Sequence, residues 1–225
     1  MKKILLLLLA AALLAPAARA LEEGFTAMFN GQDLTGWDAK PGTWRVENGA
    51  LTCESTKEKP CLKCHYLIWK DGQPGDFELR AEFRLGLQGN SGIQVRSTAG
   101  ADWNTSGYQA DMTGDGKILG YVYHSSLGLV CARGENVTLA ADGKKSVEKI
   151  GDAKELLKNF KPGDWNTYRV VCRGPVIELF INDVLMSRMT DNTAKARRDG
   201  VIALQMHPGP PMKIEFRNLR LKELK

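Results

Sequence analysis

The chain has little histidine, no apolar run long enough to cross a membrane after its first 20 residues, and almost no surplus of charge. With three histidines, a multi-histidine metal centre would use most of the supply. The sequence contains no G-x-S-x-G elbow, no P-loop, no H-E-x-x-H and no G-x-G-x-x-G after a strand, which removes the usual routes to serine-hydrolase, nucleotide, zinc-protease and dinucleotide chemistry. The formal net charge is +5, from 31 Lys and Arg against 26 Asp and Glu. Lys2, Lys3 and Arg19 fall in a segment expected to be removed. Without them, 28 basic side chains face 26 acidic ones, a net of +2. A near-neutral surface gives no electrostatic footprint for nucleic acid. A hydrophobic content of 43% excludes wholesale disorder, and 23 glycines favour a turn-rich, strand-rich fold over a helical bundle.

The first twenty residues read as an export signal. Lys2 and Lys3 precede an apolar run from Ile4 to Ala15, and Ala18-Arg19-Ala20 offers small residues at the two positions a signal peptidase reads. The run is too short to span a bilayer comfortably. Residues 1–20 are therefore expected to be removed, residues 21–225 to form one domain, and the mature chain to be secreted or periplasmic with no membrane span.

Five cysteines remain in that setting, an odd number: Cys53, Cys61, Cys64, Cys131 and Cys172. Cys61-Leu62-Lys63-Cys64-His65 matches the C-x-x-C-H pattern of covalent haem attachment, with thioethers from Cys61 and Cys64 and an axial bond from His65. The motif runs directly into Tyr66-Leu67-Ile68-Trp69, which reads as a strand, and no helical cytochrome pattern surrounds it. A local disulfide, or two free thiols beside a histidine, is the competing reading.

Strand signals dominate the rest. Phe77, Leu79, Ala81, Phe83 and Leu85 alternate with Glu78, Arg80, Glu82 and Arg84. Residues 93–96, 167–172, 177–186, 201–207 and 214–221 show the same period, and Asn182-Asp183 marks a hairpin. Short strands divided by Pro-Gly and Asn-Gly turns predict an all-β jelly-roll sandwich. One short helix is expected over Asp152–Phe160, with Asp152 as N-cap and Leu156, Leu157 and Phe160 on one face. The polar stretch 140–151 before it reads as a surface loop.

Polar groups recur at strand positions whose neighbours point into the core. Gln94 and Arg96 share a face opposite Ile93 and Val95. Gln205 and His207 pair in the same way, as do Gln109 and Asp111, while Tyr121 and Tyr123 share a face and His124 follows. A solvent-facing strand side is polar by default, so the pattern alone leaves function and surface polarity both open. If the strands are neighbours, the result is a polar and aromatic sheet face. Such a face suits a sugar, whose hydroxyls need paired donors and acceptors and whose C–H faces pack on rings.

The ordered set Phe29-Asn30-Gly31-Gln32-Asp33-Leu34-Thr35-Gly36-Trp37, Trp44–Gly49, Asp76–Arg80, Asn90–Arg96, Gly107–Asp111, Trp165-Asn166, Gly200–His207 and Phe216–Asn218 resembles the 3-keto-disaccharide hydrolase family over about residues 24–223. The resemblance implies a concanavalin-like (LamG-like) β-jelly roll, often exported, acting on glycosides oxidised at C3. Relatives often carry an acidic Tyr-Asp-Glu where this chain has Tyr123-His124-Ser125, and the Cys61–His65 cluster is an addition. Such a ketone acidifies the C2 hydrogen, so one base, one enolate stabiliser and one proton donor suffice. Ordinary glycoside hydrolysis needs two placed carboxylates, and none stand out as a pair. The expected base is His207 or Asp111, the enolate partner Arg96, alone or with Gln94, and the donor Tyr123 or His124. Asn90, Gln94, Tyr108, Gln109, Tyr121 and Gln205 are expected to bind the sugar. A divalent metal on Asp111, Gln205 or His207 is the alternative to Arg96. A non-catalytic carbohydrate-binding module would use the same face without turnover.

Overall fold

The computed structural model describes residues 21–225; the expected export segment, residues 1–20, lies outside them. Two sheets form. The larger contains β1 (Thr26–Ala27), β3 (Trp44–Glu47), β4 (Ala50–Ser55), β6 (Phe77–Leu85), β11 (Glu135–Leu139), β12 (Lys145–Lys149), β13 (Asn166–Arg173), β14 (Val176–Ile181), β15 (Val184–Asp191) and β17 (Met212–Glu223). Its order is β12-β11-β15-β14-β13-β6-β17-β4-β3, with β1 paired to β17. The smaller contains β2 (Trp37–Asp38), β5 (His65–Trp69), β7 (Asn90–Ala99), β8 (Thr105–Thr113), β9 (Val122–His124), β10 (Gly128–Cys131) and β16 (Val201–Met206). Its order is β10-β9-β8-β7-β16-β5-β2. All of its pairings are antiparallel.

The period-two pattern explains the packing. Along β6 every second residue is buried, and Phe77, Leu79, Ala81, Phe83 and Leu85 enter the core between the sheets. Ile93, Leu204 and Leu67 meet them from the smaller sheet, and Trp37 and Trp44 are also buried there. Asn182 and Asp183 both take left-handed φ, 48° and 65°, as a tight β14–β15 hairpin requires.

Two expectations are corrected. The helix over 152–160 shrinks to a 3-10 turn, Glu155–Leu157. Nine residues ending at Lys161-Pro162 are too few to sustain an α-helix in isolation. Asp152 still caps it, accepting from the backbone N–H groups of Lys154 and Glu155, and Leu156, Leu157 and Phe160 still pack on the core. The stretch 140–151 is not all loop: β12 forms the fully exposed edge of the larger sheet beside β11. Its three charged residues, Lys145, Glu148 and Lys149, suit an unpaired edge that must resist further strand addition.

Candidate active site

A hollow of about 530 Å³ opens on the face of the smaller sheet away from the main core. Strand register assembles it. In the β7–β8 pair Gln94 stands opposite Gln109 and Gly92 opposite Asp111. Tyr123 of β9 stands opposite Gln109, and on the other flank Tyr66 of β5 stands opposite Gln205 of β16. Residues from 14 to 139 positions apart therefore share one face.

The side chains form a connected chain of hydrogen bonds. Ser97 Oγ donates to Gln94 Oε1 at 2.6 Å, and Gln94 Nε2 donates to Gln109 Oε1 at 2.8 Å. Gln109 Nε2 donates to Asp111 Oδ1 and, at 3.2 Å, to Gln205 Oε1. Gln205 Nε2 donates to Tyr66 Oη at 3.0 Å and lies 3.7 Å from Cys64 Sγ. The carboxylate of Asp111 only accepts, which orients the amide of Gln109 and, through it, those of Gln94 and Gln205.

Asp111 is the charged member of this network, and only 7% exposed. Burial pushes its carboxyl up to about 6, partly offset by the hydrogen bond from Gln109. It is the sole carboxylate lining the hollow among the described residues. His207 lies at the rim, with Nδ1 2.6 Å from the carbonyl of Pro208. A carbonyl only accepts, so Nδ1 carries the proton of this hydrogen bond.

The structure gathers Asn90, Gln94, Gln109, Asp111, Tyr121, Tyr123, Gln205 and His207 around the hollow. It does not bring Arg96, Tyr108 or His124 there. The pairing of β7 with β8 slips between Val95 and Thr98, and Arg96 takes a left-handed φ of 47°. This bulge turns Arg96 off the face of Gln94, since one extra residue in a strand reverses the alternation. Its guanidinium donates to the carbonyls of Gly75 and Gly174 and to Asp76 Oδ1, in loops of the larger sheet. Tyr108 falls on the core face, 2% exposed, and donates to Asp191 Oδ2 at 2.6 Å. His124 turns to the opposite side of β9 from Tyr123; its ring sits 4.7 Å from that of Tyr108, and its Nδ1 accepts from the N–H of Ser126. Burial lowers the pKa of His124.

Tyr66 and Ser97 escaped the sequence reading. The signal for Tyr66 was its place two residues before Ile68 in the β5 alternation. Ser97 carried none, because its role depends on the bulge.

Asp111, Gln205 and His207, the three candidates for a metal, all line this hollow. Among the described residues no group of three or more His, Cys, Asp or Glu side chains is arranged to hold an ion. The oxygens of Asp111 and Gln205 both face the same Gln109 amide nitrogen, an arrangement built for N–H donation. No step is assigned to a metal. Cys61, Cys64 and His65 lie in the coil before β5 and at its first residue, with both thiols free. Cys61 Sγ donates to the Lys63 carbonyl, and Cys64 packs beside Gln205.

Two packed antiparallel-rich sheets with a polar hollow on one face define a jelly-roll protein of the kind found among glycoside hydrolases and lectins. Residues 24–222 match the 3-keto-alpha-glucoside-1,2-lyase-like domain, and the chain belongs to that family of carbohydrate-active proteins. No curated protein matches the chain. Two solved structures of provisionally named glycosyl hydrolases from Parabacteroides distasonis are similar. One has 18% identity and a TM-score of 0.61 over 92% of this chain and 99% of the other; the second has 22% and 0.59 over 89% and 99%. The carbohydrate-binding module CBM66 from Bacillus subtilis shares the fold at 14% identity and a TM-score of 0.55, over 84% of this chain and 96% of that one. No helix among the described residues is long and apolar enough to cross a membrane.

Proposed function

We propose that this is an exported enzyme that cleaves the glycosidic bond of sugars already oxidised to a ketone at C3, by elimination across C1 and C2 followed by addition of water. Family membership supports the substrate class, and the sequence of residues 1–20 is the ground for export. The observation that carries the reaction type is the lone carboxylate. An ordinary glycosidase needs two acids flanking the bond. An elimination needs one base, and a carboxylate raised to about 6 is both ionised at neutral pH and more basic than a solvated one.

Asp111 takes the proton from C2, and the electron pair of that bond forms the enolate with the C3 oxygen. The enolate then collapses, regenerating the ketone, making the C1–C2 double bond and expelling the oxygen on C1. Tyr66 already accepts from Gln205 and keeps its own O–H proton for the enolate oxygen. Tyr123 or His207 protonates the departing oxygen. Gln94, Gln109 and Gln205 hold the ring hydroxyls. Water then adds across the double bond, with its proton going to C2 and its oxygen to C1.

The purified protein should release the aglycone from a 3-keto-glucoside and not from the parent glucoside. In D₂O the product should carry deuterium at C2; turnover without it would rule out elimination. The likeness in fold to CBM66 favours a second reading, a binding module, which would retain 3-keto-glycosides without turning them over.

A further inference from the structure

We propose that Trp103 is the platform of a second sugar subsite, which holds the ring of the leaving group of a disaccharide substrate. The inference rests on the elimination reading for its substrate, although the subsite is detectable by binding alone.

Three hollows meet in series. Cys64 and Asn104 line both the catalytic hollow and a neighbour of about 840 Å³. Asp102 and Trp103 line that neighbour and a third hollow of about 480 Å³. Shared lining residues thus link the hollow of Asp111, through Asn104, to the one beside Trp103.

The turn that presents Trp103 is built at a conformational cost. Ala101–Trp103 is a 3-10 turn joining β7 to β8, the two strands that carry Gln94, Gln109 and Asp111. Asp102 and Trp103 both lie in the left-handed region, with φ of 54° and 52°. Two adjacent non-glycine residues in that region, one of them bulky, is the kind of strain that persists only where the surroundings impose it, and it concentrates at ligand sites. Here the surroundings do impose it: Gly100 N–H donates to Asn104 O at 2.8 Å, and Asn104 N–H returns to Ala101 O at 3.1 Å. The indole is fixed in turn, with Nε1–H donating to Asp38 Oδ1 at 3.0 Å. Trp103 is nevertheless only partly buried.

Beside it stand Asp38, Lys70 and Gln73, a carboxylate, an ammonium and an amide within one hollow. Trp69 lines the same hollow, and its Nε1–H is buried without a partner. A fixed indole with a ring of short-range donors and acceptors matches a pyranose, whose axial C–H bonds stack on the ring while its hydroxyls take the rim.

Two variants test this, Trp103→Ala and Trp103→Phe, each checked by circular dichroism for an unchanged fold. For the wild type, Trp103→Ala and Trp103→Phe, KM is measured on a 3-keto-disaccharide and on a methyl 3-keto-glucoside, which has no second ring. The ratio of the two KM values should rise about tenfold in Trp103→Ala, the size expected from loss of one stacking contact, and stay near wild type in Trp103→Phe. Binding of unoxidised maltose and cellobiose, followed by tryptophan fluorescence and calorimetry, should weaken in parallel. If the wild type turns over no 3-keto substrate but binds disaccharide in a Trp103-dependent way, the elimination reading fails and the subsite stands. If turnover occurs and the KM ratio is unmoved in Trp103→Ala, or if disaccharide binding is absent or ignores Trp103, the subsite is refuted.

Discussion

Gly92 stands directly across the β7–β8 pair from Asp111, and its missing side chain is the space in which Gln109 lies. A Cβ at Gly92 would sit 2.5 Å from Cδ of Gln109 and 2.6 Å from its Nε2. The backbone of Gly92 has no left-handed φ, so space and not torsion makes glycine necessary there. Gly92→Ala should therefore fold, yet push Gln109 off Asp111. A displacement of about 1 Å in a positioning group costs on the order of a hundredfold in rate. The expected result is a fall of that order in kcat for a 3-keto-glucoside with little change in melting temperature. Normal kcat would show that the amide network does not position the base.

Asp111 makes a second prediction, on pH. Its burial raises the carboxyl to about 6, and only the ionised form can take a proton. The plot of kcat/KM against pH should rise to a plateau through a limb centred near 6. Asp111→Asn should abolish turnover. In Gly92→Ala the hydrogen bond that holds the pKa down is lost, so any residual activity should show its limb at higher pH. A limb that stays in place in that variant would assign it to another group.

The same shift has a consequence for stability, opposite in sign to that of a salt-bridged carboxylate. In the unfolded chain an aspartate ionises near 3.9. Between that value and about 6 the folded state keeps a proton that the unfolded state has released. Stability therefore falls as pH rises through this window and levels off above it, by at most about 3 kcal/mol. Asp111→Asn removes this contribution and still accepts from Gln109. Urea denaturation should find the variant more stable than wild type at pH 7 and nearly equal to it at pH 4. Equal stabilities at both values would mean that the carboxylate is not buried as described.

The sandwich was legible because its signal is local. The alternation from Phe77 to Leu85 needs no knowledge of distant residues, and Asn182-Asp183 announces its turn by composition. The site was legible in part for the same reason: Gln94, Gln109, Asp111 and Gln205 lie on regular stretches where counting by two gives the right face. Counting failed at the bulge. Arg96 is two residues from Gln94 and was expected beside it, but the extra residue between Val95 and Thr98 sends it to the other side. Tyr66 and Ser97 gain their roles from partners 139 and 3 residues away, and for Ser97 the contact exists only because of the bulge.

Arg96 supplies the last prediction, and it separates structure from chemistry. The side chain is 1% exposed and closes one end of the sandwich, holding two carbonyls and Asp76 in loops of the opposite sheet. Removing it empties a buried space and takes one donor from the carbonyls of Gly75 and Gly174, while Asp76 keeps only the N–H of Gly174. Arg96→Ala should lose on the order of 3 kcal/mol of stability, read as a lower urea midpoint and melting temperature. Arg96→Lys should recover little, because a single ammonium cannot reproduce a fork that reaches Gly75, Gly174 and Asp76 at once. Turnover per folded molecule, measured at low temperature, should keep its limb near pH 6, since the guanidinium does not reach the hollow that holds Asp111. A variant with wild-type melting behaviour and no activity would reverse the assignment and return Arg96 to the enolate.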